Sequence, residues 1–334
     1  MADNHIVERF DTQRDLAAEI PSILDEIESE TGFVAQHEIQ RRTIYDADKV
    51  WRVRIAGTFE GRPAVLRVEN IKLETDEEEI RRAFRAQAVG HRVRPPHTYA
   101  HQIFDEAKGY GYSVDEEVRG VPLFVASATS PQEAASAFVP FCRFLRETVQ
   151  NPFWENHAGD IRAFSEKQCD KWHDLAKQKT PEHTERIEKE TTKIREVYFA
   201  SLPNAPLRFQ HGHLSGEDVR INEQGEYIVF ANHFWSWRQP GYDVVFPLWQ
   251  QWMSLPIERR SAEEVARVTD AWLEVIERDL GDLVSITETR PMLLNRLYGS
   301  LLLDIPAKIG QQGETEESVG RLEEVCLKEV GRWL

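Results

Sequence analysis

Apolar residues recur at helical spacing between residues 12 and 30, where Leu16, Ile20, Ile23, Leu24 and Ile27 fall on one face. This predicts an amphipathic helix. A shorter period takes over at 49–69. Val50, Trp51, Val53 and Ile55 alternate in part with Arg52 and Arg54, residues 57–63 read as a turn, and Ala64-Val65-Leu66-Arg67-Val68 reads as a returning strand. Together they predict a β-hairpin. Helical spacing returns over 76–90, with Ile80, Ala83, Phe84, Gln87 and Ala88 in one stripe. Thr75 and Asp76 are candidate N-caps there, and Glu77, Glu78 and Glu79 suit the positive end of a helix. Segments 99–105 and 111–118 predict two more strands, joined at Lys108-Gly109.

Beyond Gly120 the texture is helical. Segments 131–149, 157–178 and 181–200 are separated by Asn-Pro and Thr-Pro breaks. Short β-like pieces occupy 208–233. Helical patterns resume at about 242–254, 261–279, 289–303 and 315–333. A small sheet with one helix, followed by a large helical portion with a β-rich insert, predicts an α+β architecture of two lobes. The boundary is expected near 119–122, giving lobes 1–119 and 120–334.

Composition narrows the partners. The chain has 334 residues, 41% of them hydrophobic and 29% charged, which supports a folded core. Its net charge of −16 argues against non-specific binding to nucleic acid or an anionic membrane. No run approaches the ~18 apolar residues of a membrane helix. The N-terminal stretch is polar and acidic, without the apolar centre of a signal peptide. Cys142, Cys169 and Cys326 are scattered and odd in number, so reduced thiols and a cytoplasmic location are expected.

The chemistry concentrates at 208–245. Phe209-Gln210-His211-Gly212-His213-Leu214-Ser215-Gly216-Glu217-Asp218 is followed by Gly225-Glu226-Tyr227-Ile228-Val229-Phe230-Ala231-Asn232 and Pro240-Gly241-Tyr242-Asp243-Val244. This series resembles the catalytic loop, metal-binding strand and helix-opening element of the aminoglycoside phosphotransferase and choline kinase-like family. In that family the loop reads H-G-D-x-x-x-x-N. Val65-Leu66-Arg67-Val68 stands where the family has its phosphate-holding strand. Glu116-Glu117-Val118-Arg119-Gly120 resembles its hinge. The resemblance covers about 35–330 and implies a bilobal protein-kinase-like fold with a cleft between the lobes.

The resemblance also implies roles, and the sequence departs from them. Phosphoryl transfer needs a cation on the phosphates, oxygen ligands for Mg²⁺ and a group that orients the acceptor. His213 replaces the catalytic Asp. Asp218 replaces the metal-binding Asn, and Asn232 replaces the metal-binding acid. Arg67 replaces the phosphate Lys. Gln87 stands for its helical acid partner, with Glu79 as competitor. Glu116, Glu117 and Val118 would line the adenine edge. No glycine-rich phosphate loop is present in the first turn, where Arg41 and Arg42 could meet phosphate or simply be solvated.

Two readings follow. Either the chain is a pseudokinase that binds a small-molecule ligand or a protein partner, with ATP and Mg²⁺ held weakly or not at all. Or it is an active ATP-dependent kinase of a small hydroxylated substrate, with His213 as base and Asp218 and Asn232 on Mg²⁺. The first is favoured because so many positions change together. A transition-metal set of His211, His213, Asp218, Asn232 and His233 is a lesser alternative. Phe234, Trp235 and Trp237 could form a ligand platform, though packing is the simpler expectation, as it is for Trp249 and Trp252. Asp243 is expected to tie down the loop, and Glu77 to Glu79 to be a solvated first turn paired with Arg81 and Arg85.

Overall fold

The computed structural model describes residues 7–10, 16–36, 39–42, 50, 52–73, 75–153, 159–309 and 314–334. The N-terminal part runs β1 (Val7–Phe10), α1 (Leu16–Thr31), β2 (Phe33–Ala35), β3 (Gln40–Arg42), β4 (Arg52–Phe59), β5 (Arg62–Glu69), β6 (Ile71–Leu73), α2 (Glu77–Gln87), β7 (Val93–Arg94), β8 (Thr98–Asp105), β9 (Tyr110–Glu116) and β10 (Gly120–Pro122). Helices α3 (Pro131–Thr148), α4 (Ile161–Lys179), α5 (Pro181–Arg186) and α6 (Glu188–Ser201) follow. Then come short strands β11 (Arg208–Gln210), β12 (Val219–Asn222), β13 (Tyr227–Val229) and β14 (Ser236–Arg238). Helices α7 (Tyr242–Met253), α8 (Ala262–Leu280), α9 (Ile286–Gly299) and α10 (Glu316–Trp333) complete the chain. This is a bilobal α+β arrangement of the protein-kinase-like type, with a β-rich N-terminal region and a helical C-terminal region.

The first compact unit holds Asp3–Val121 together with Arg220–His233. Its main sheet has the order β2-β4-β5-β9-β8, with β3 also paired to β4. The hairpin expected at 49–69 is there, with Val53 opposite Val68 and Ile55 opposite Leu66. Its turn is tighter than the sequence implied. Only Glu60 and Gly61 turn, both at positive φ, as a two-residue hairpin matched to strand twist requires. Gly57 stays inside β4, because β2 crosses it so closely that a Cβ there would lie 2.2 Å from the Val34 carbonyl oxygen. Strand alternation puts Val53, Ile55, Ala64, Leu66, Val68 and Val114 on one buried face. The stripe of α1 (Leu16, Ile20, Ile23, Ile27) covers that face and closes the core. A second sheet, β10-β12-β13-β7, takes residues 220–229 into this unit.

The second unit holds Pro122–Val219 and Phe234–Leu334. Asp160 and Ser261 cap α4 and α8 by accepting backbone N–H bonds. Segment 181–200 forms two helices that break at Ile187 rather than one. The helix expected over 289–303 ends at Gly299 and continues as a π-helical turn, Ser300–Asp304, closed by a 2.9 Å bond from Ile305 N–H to Ser300 O. Cys142, Cys169 and Cys326 are all free and buried. No helix among the described residues is long and apolar enough to cross a membrane.

Candidate functional site

Strand β11 delivers His211-Gly212-His213 to the head of α7. Gly212 has φ +77°, and a Cβ on it would meet Arg238 Nε and Phe234 O at 2.9 Å, so only glycine fits. Asp243, in the first turn of α7, fastens this bend. Its two carboxylate oxygens accept the backbone N–H groups of His211 and Gly212, each at 2.8 Å. Burial holds the Asp243 carboxyl above its usual range despite these bonds. Asp243 therefore does tie down the loop, although its side chain does not cap α7.

The loop presents His213 against Phe234, with stacked rings 4.3 Å apart, and against Phe246 at 4.7 Å. Its Nδ1 lies 3.0 Å from Asp218 Oδ2. Burial opposes ionisation of Asp218, but the hydrogen bond and charge of His213, the Ser215 hydroxyl and His211 together outweigh it and hold the carboxyl below its usual value. His213 keeps 37% of its side chain accessible. The pair is thus an oriented imidazole with a carboxylate behind it, the arrangement that fixes a tautomer and supports proton transfer.

Arg67 and Asn232 belong to the other unit. Arg67 projects from β5 and meets Glu77 at 2.7 Å, with Glu69 at 3.9 Å. The acid on α2 is therefore Glu77, not a residue at Gln87 or Glu79. Gln87 lies ten residues further on, about 15 Å along a helix axis. Glu77 and Glu78 are buried rather than solvated, which corrects the expected exposed first turn. Glu77 also takes Arg81 at 3.0 Å, Arg81 reaches Asp115 at 2.7 Å, and Arg52 meets Glu69 at 2.6 Å. Three guanidinium groups and three carboxylates balance. Burial works against charge on Glu77, yet Arg67 and Arg81 hold its carboxyl well below the ordinary value. Burial also works against charge on Arg67, and Glu77 and Glu69 more than offset it.

Asn232 is wholly buried. Its amide donates to the Val229 carbonyl at 2.8 Å, and its backbone N–H donates to Glu77 at 3.2 Å. Glu116, Glu117 and Val118 line a depression of about 300 Å³ with Arg94, Tyr99 and Glu223. Backbone N–H groups of Glu116 and Glu117 are already used, on His97 O and Pro63 O. Arg67 borders a different cavity of only about 80 Å³, beside Glu69, Glu77 and His101. So three of the residues assigned to the nucleotide share one depression, and Arg67 lines another. The side chains of Arg41 and Arg42 lie outside the described residues.

Among the described residues no three His, Cys, Asp or Glu side chains converge as metal ligands. Nor do the residues fit Mg²⁺, which favours accessible anionic oxygens. Asn232 is a neutral amide in the core, and the Asp218 carboxylate is engaged by His213. The aromatic residues after Asn232 pack rather than open a platform. Trp235 stacks on Phe209 at 5.4 Å, and Phe153 meets both edge-on. Trp252 is core, with its indole N–H on Thr269. The missed residue is Glu77. Its only signal was its place directly after the N-cap Asp76.

No family model and no curated protein sequence matches the chain. Solved structures do. The aminoglycoside phosphotransferase APH(4)-Ia aligns with a TM-score of 0.57 at 13% identity, covering 92% of this chain and 99% of its own. A thermostable mutant of that protein, in a ternary complex with ADP and hygromycin B, aligns at 0.56 and 15%, covering 92% and 98%. Choline kinase LicA from Streptococcus pneumoniae aligns at 0.55 and 10%, covering 94% and 99%. At such identities the likeness is one of fold.

Proposed function

We propose that this chain has left phosphoryl transfer behind and acts by binding a small molecule or a protein partner on a kinase-like scaffold. In this reading residues 1–119 correspond to the nucleotide lobe and 120–334 to the lobe carrying the loop at 208–245. The observation that carries the reading is the hydrogen bond from His213 to Asp218. It commits the loop's one carboxylate at a metal position to an imidazole, just where a Mg²⁺-nucleotide would need it. Two further features support the reading. The Arg67 charge is matched by Glu69 and Glu77, leaving no net positive charge for phosphates. The acid that would hold the metal is a buried amide, Asn232. ATP and Mg²⁺ accordingly bind weakly or not at all.

The same dyad favours a second reading, in which His213 is a general base for a hydroxyl acceptor. That reading requires Asp218 to orient His213 and ligate Mg²⁺ together with Asn232, which places two demands on one carboxylate. A thermal-shift titration with ATP, with and without Mg²⁺, tests the proposal. A ligand at ~100 times its dissociation constant adds ~2.7 kcal/mol, a shift of a few degrees for a chain of this size. We expect no Mg²⁺-dependent rise. A Mg²⁺-dependent rise that Asp218→Ala abolishes would restore the active kinase.

A further inference from the structure

Arg296 of α9 is a buried cation with poor hydrogen bonding. Only 9% of its side chain is accessible. Its Nη1 donates to Tyr242 Oη and its Nη2 to Asp304 Oδ2, both at a long 3.4 Å, and its Nε–H has no partner among the described residues. The guanidinium lies over the Trp249 ring at 4.1 Å and near Phe246 at 5.3 Å. A guanidinium has five N–H donors and loses much solvation when buried. Ring faces return part of that, and two long hydrogen bonds return little.

The surroundings are built around this group. Asp304 ends the π-helical turn, and such turns recur at functional sites. The turn is braced from outside: His183 Nε2–H donates to Leu301 O at 2.7 Å, while Arg186 holds both His183 and Glu323. Ser300 accepts the Trp249 indole N–H and donates to Asp304 at 3.2 Å. Gly299 has no room for a Cβ, because Trp172 lies 2.8 Å from where one would stand. Asp304 keeps 38% of its side chain accessible, so one partner of the buried guanidinium faces solvent. Phe246, which faces Arg296, also faces His213.

We infer that Arg296 is the anchor of a ligand site in the helical unit, and that its ligand is a small molecule bearing a single carboxylate on an apolar body. A carboxylate matches the planar fork of a guanidinium, taking two N–H bonds in place of the long one to Asp304. The charge balance selects it over phosphate. Arg296 and Asp304 already cancel, so a bound monoanion leaves one excess negative charge at the site and a dianion leaves two. The aromatic walls suit an apolar body. This site does not depend on nucleotide binding, so it stands or falls separately from the function proposed above.

Benzoate is the probe, with benzamide as its neutral counterpart and inorganic phosphate as the competing anion. Isothermal titration and thermal shift of the full chain should show saturable binding of benzoate, with benzamide and phosphate at least about tenfold weaker. Asp304→Asn, on the accessible side, should tighten benzoate several-fold by removing the competing carboxylate. Arg296→Met should abolish the response. Arg296→Lys, which keeps charge but loses the fork, should weaken it about tenfold and guards against a folding failure in the Met variant. Equal responses to benzoate and benzamide, no response to any probe, or an unchanged response in folded Arg296→Lys would overturn the site. Preference for phosphate would overturn the carboxylate assignment.

Discussion

The guanidinium of Arg67 and the carboxylate of Glu77 meet at 2.7 Å, joining β5 to the first residue of α2. The contact makes a cation–acid pair between strand and helix. It also sits in a chain of buried charges from Arg52 to Asp115, in which every carboxylate meets at least one guanidinium.

Glu77→Gln should be among the most destabilising changes in the N-terminal unit. It keeps the shape but leaves Arg67 and Arg81 buried without their shared charge. Breaking a buried pair in this way costs about 3–5 kcal/mol. Glu79→Gln, on the exposed side of the same turn, should stay within about 0.5 kcal/mol of the parent. Urea midpoints of the two variants, monitored by circular dichroism, make the comparison. Similar midpoints would show that the network carries no stability.

The same network sets an acid limit. The folded-state pKa of Glu77 is depressed, as is that of Glu69. Their contribution is complete above the ordinary value of 4.5 and is lost as pH falls through the lower folded values. Stability should therefore decline steeply below about pH 4.5, and Glu77→Gln should flatten that decline. A stability–pH profile from pH 3 to 7 reads this directly. Parallel profiles for parent and variant would remove Glu77 from the explanation.

Gly212→Ala tests the bend that presents His213. The substitution forces a side chain into positive φ and against Arg238 and Phe234. It should cost about 1–3 kcal/mol from the backbone alone. Asp243→Asn should cost a similar amount, because an amide offers one oxygen where two N–H groups need acceptors. Normal stability in both would mean that the bend forms without these supports.

The thiols report global opening. Burial pushes Cys142 up to about 11 and Cys169 and Cys326 up to about 12. At pH 8 roughly one Cys142 in a thousand is thiolate even before access is considered. Modification by a disulfide reagent should be slow in buffer and complete in denaturant. Rapid labelling of the native chain would show that these helices open locally.

Local pattern made most of the architecture readable. The period-two run at Val53 and Ile55, the stripe of α1 and the cap at Asp76 each depend on neighbours in sequence, and all stand in the structure. The residue types at His213, Asp218 and Asn232 were readable as well, since they need no coordinates. The partner of Arg67 was misplaced at Gln87. An acidic first turn reads as solvated when nothing in the sequence says which side of α2 meets the sheet.

The sequence by itself determined the elements, the balance of charge and the residue types of the loop, because these rest on side-chain type and on spacing along a few turns or one hairpin. Only the tertiary structure decided that Glu77 takes Arg67, that Asp218 holds His213, that Asn232 is sealed in the core and that Arg296 lies beside Asp304 among aromatic rings. Each of these depends on how a helix or loop docks. Docking sets which carboxylate loses its water and which cation replaces it, and that balance of desolvation against pairing is invisible in a linear pattern.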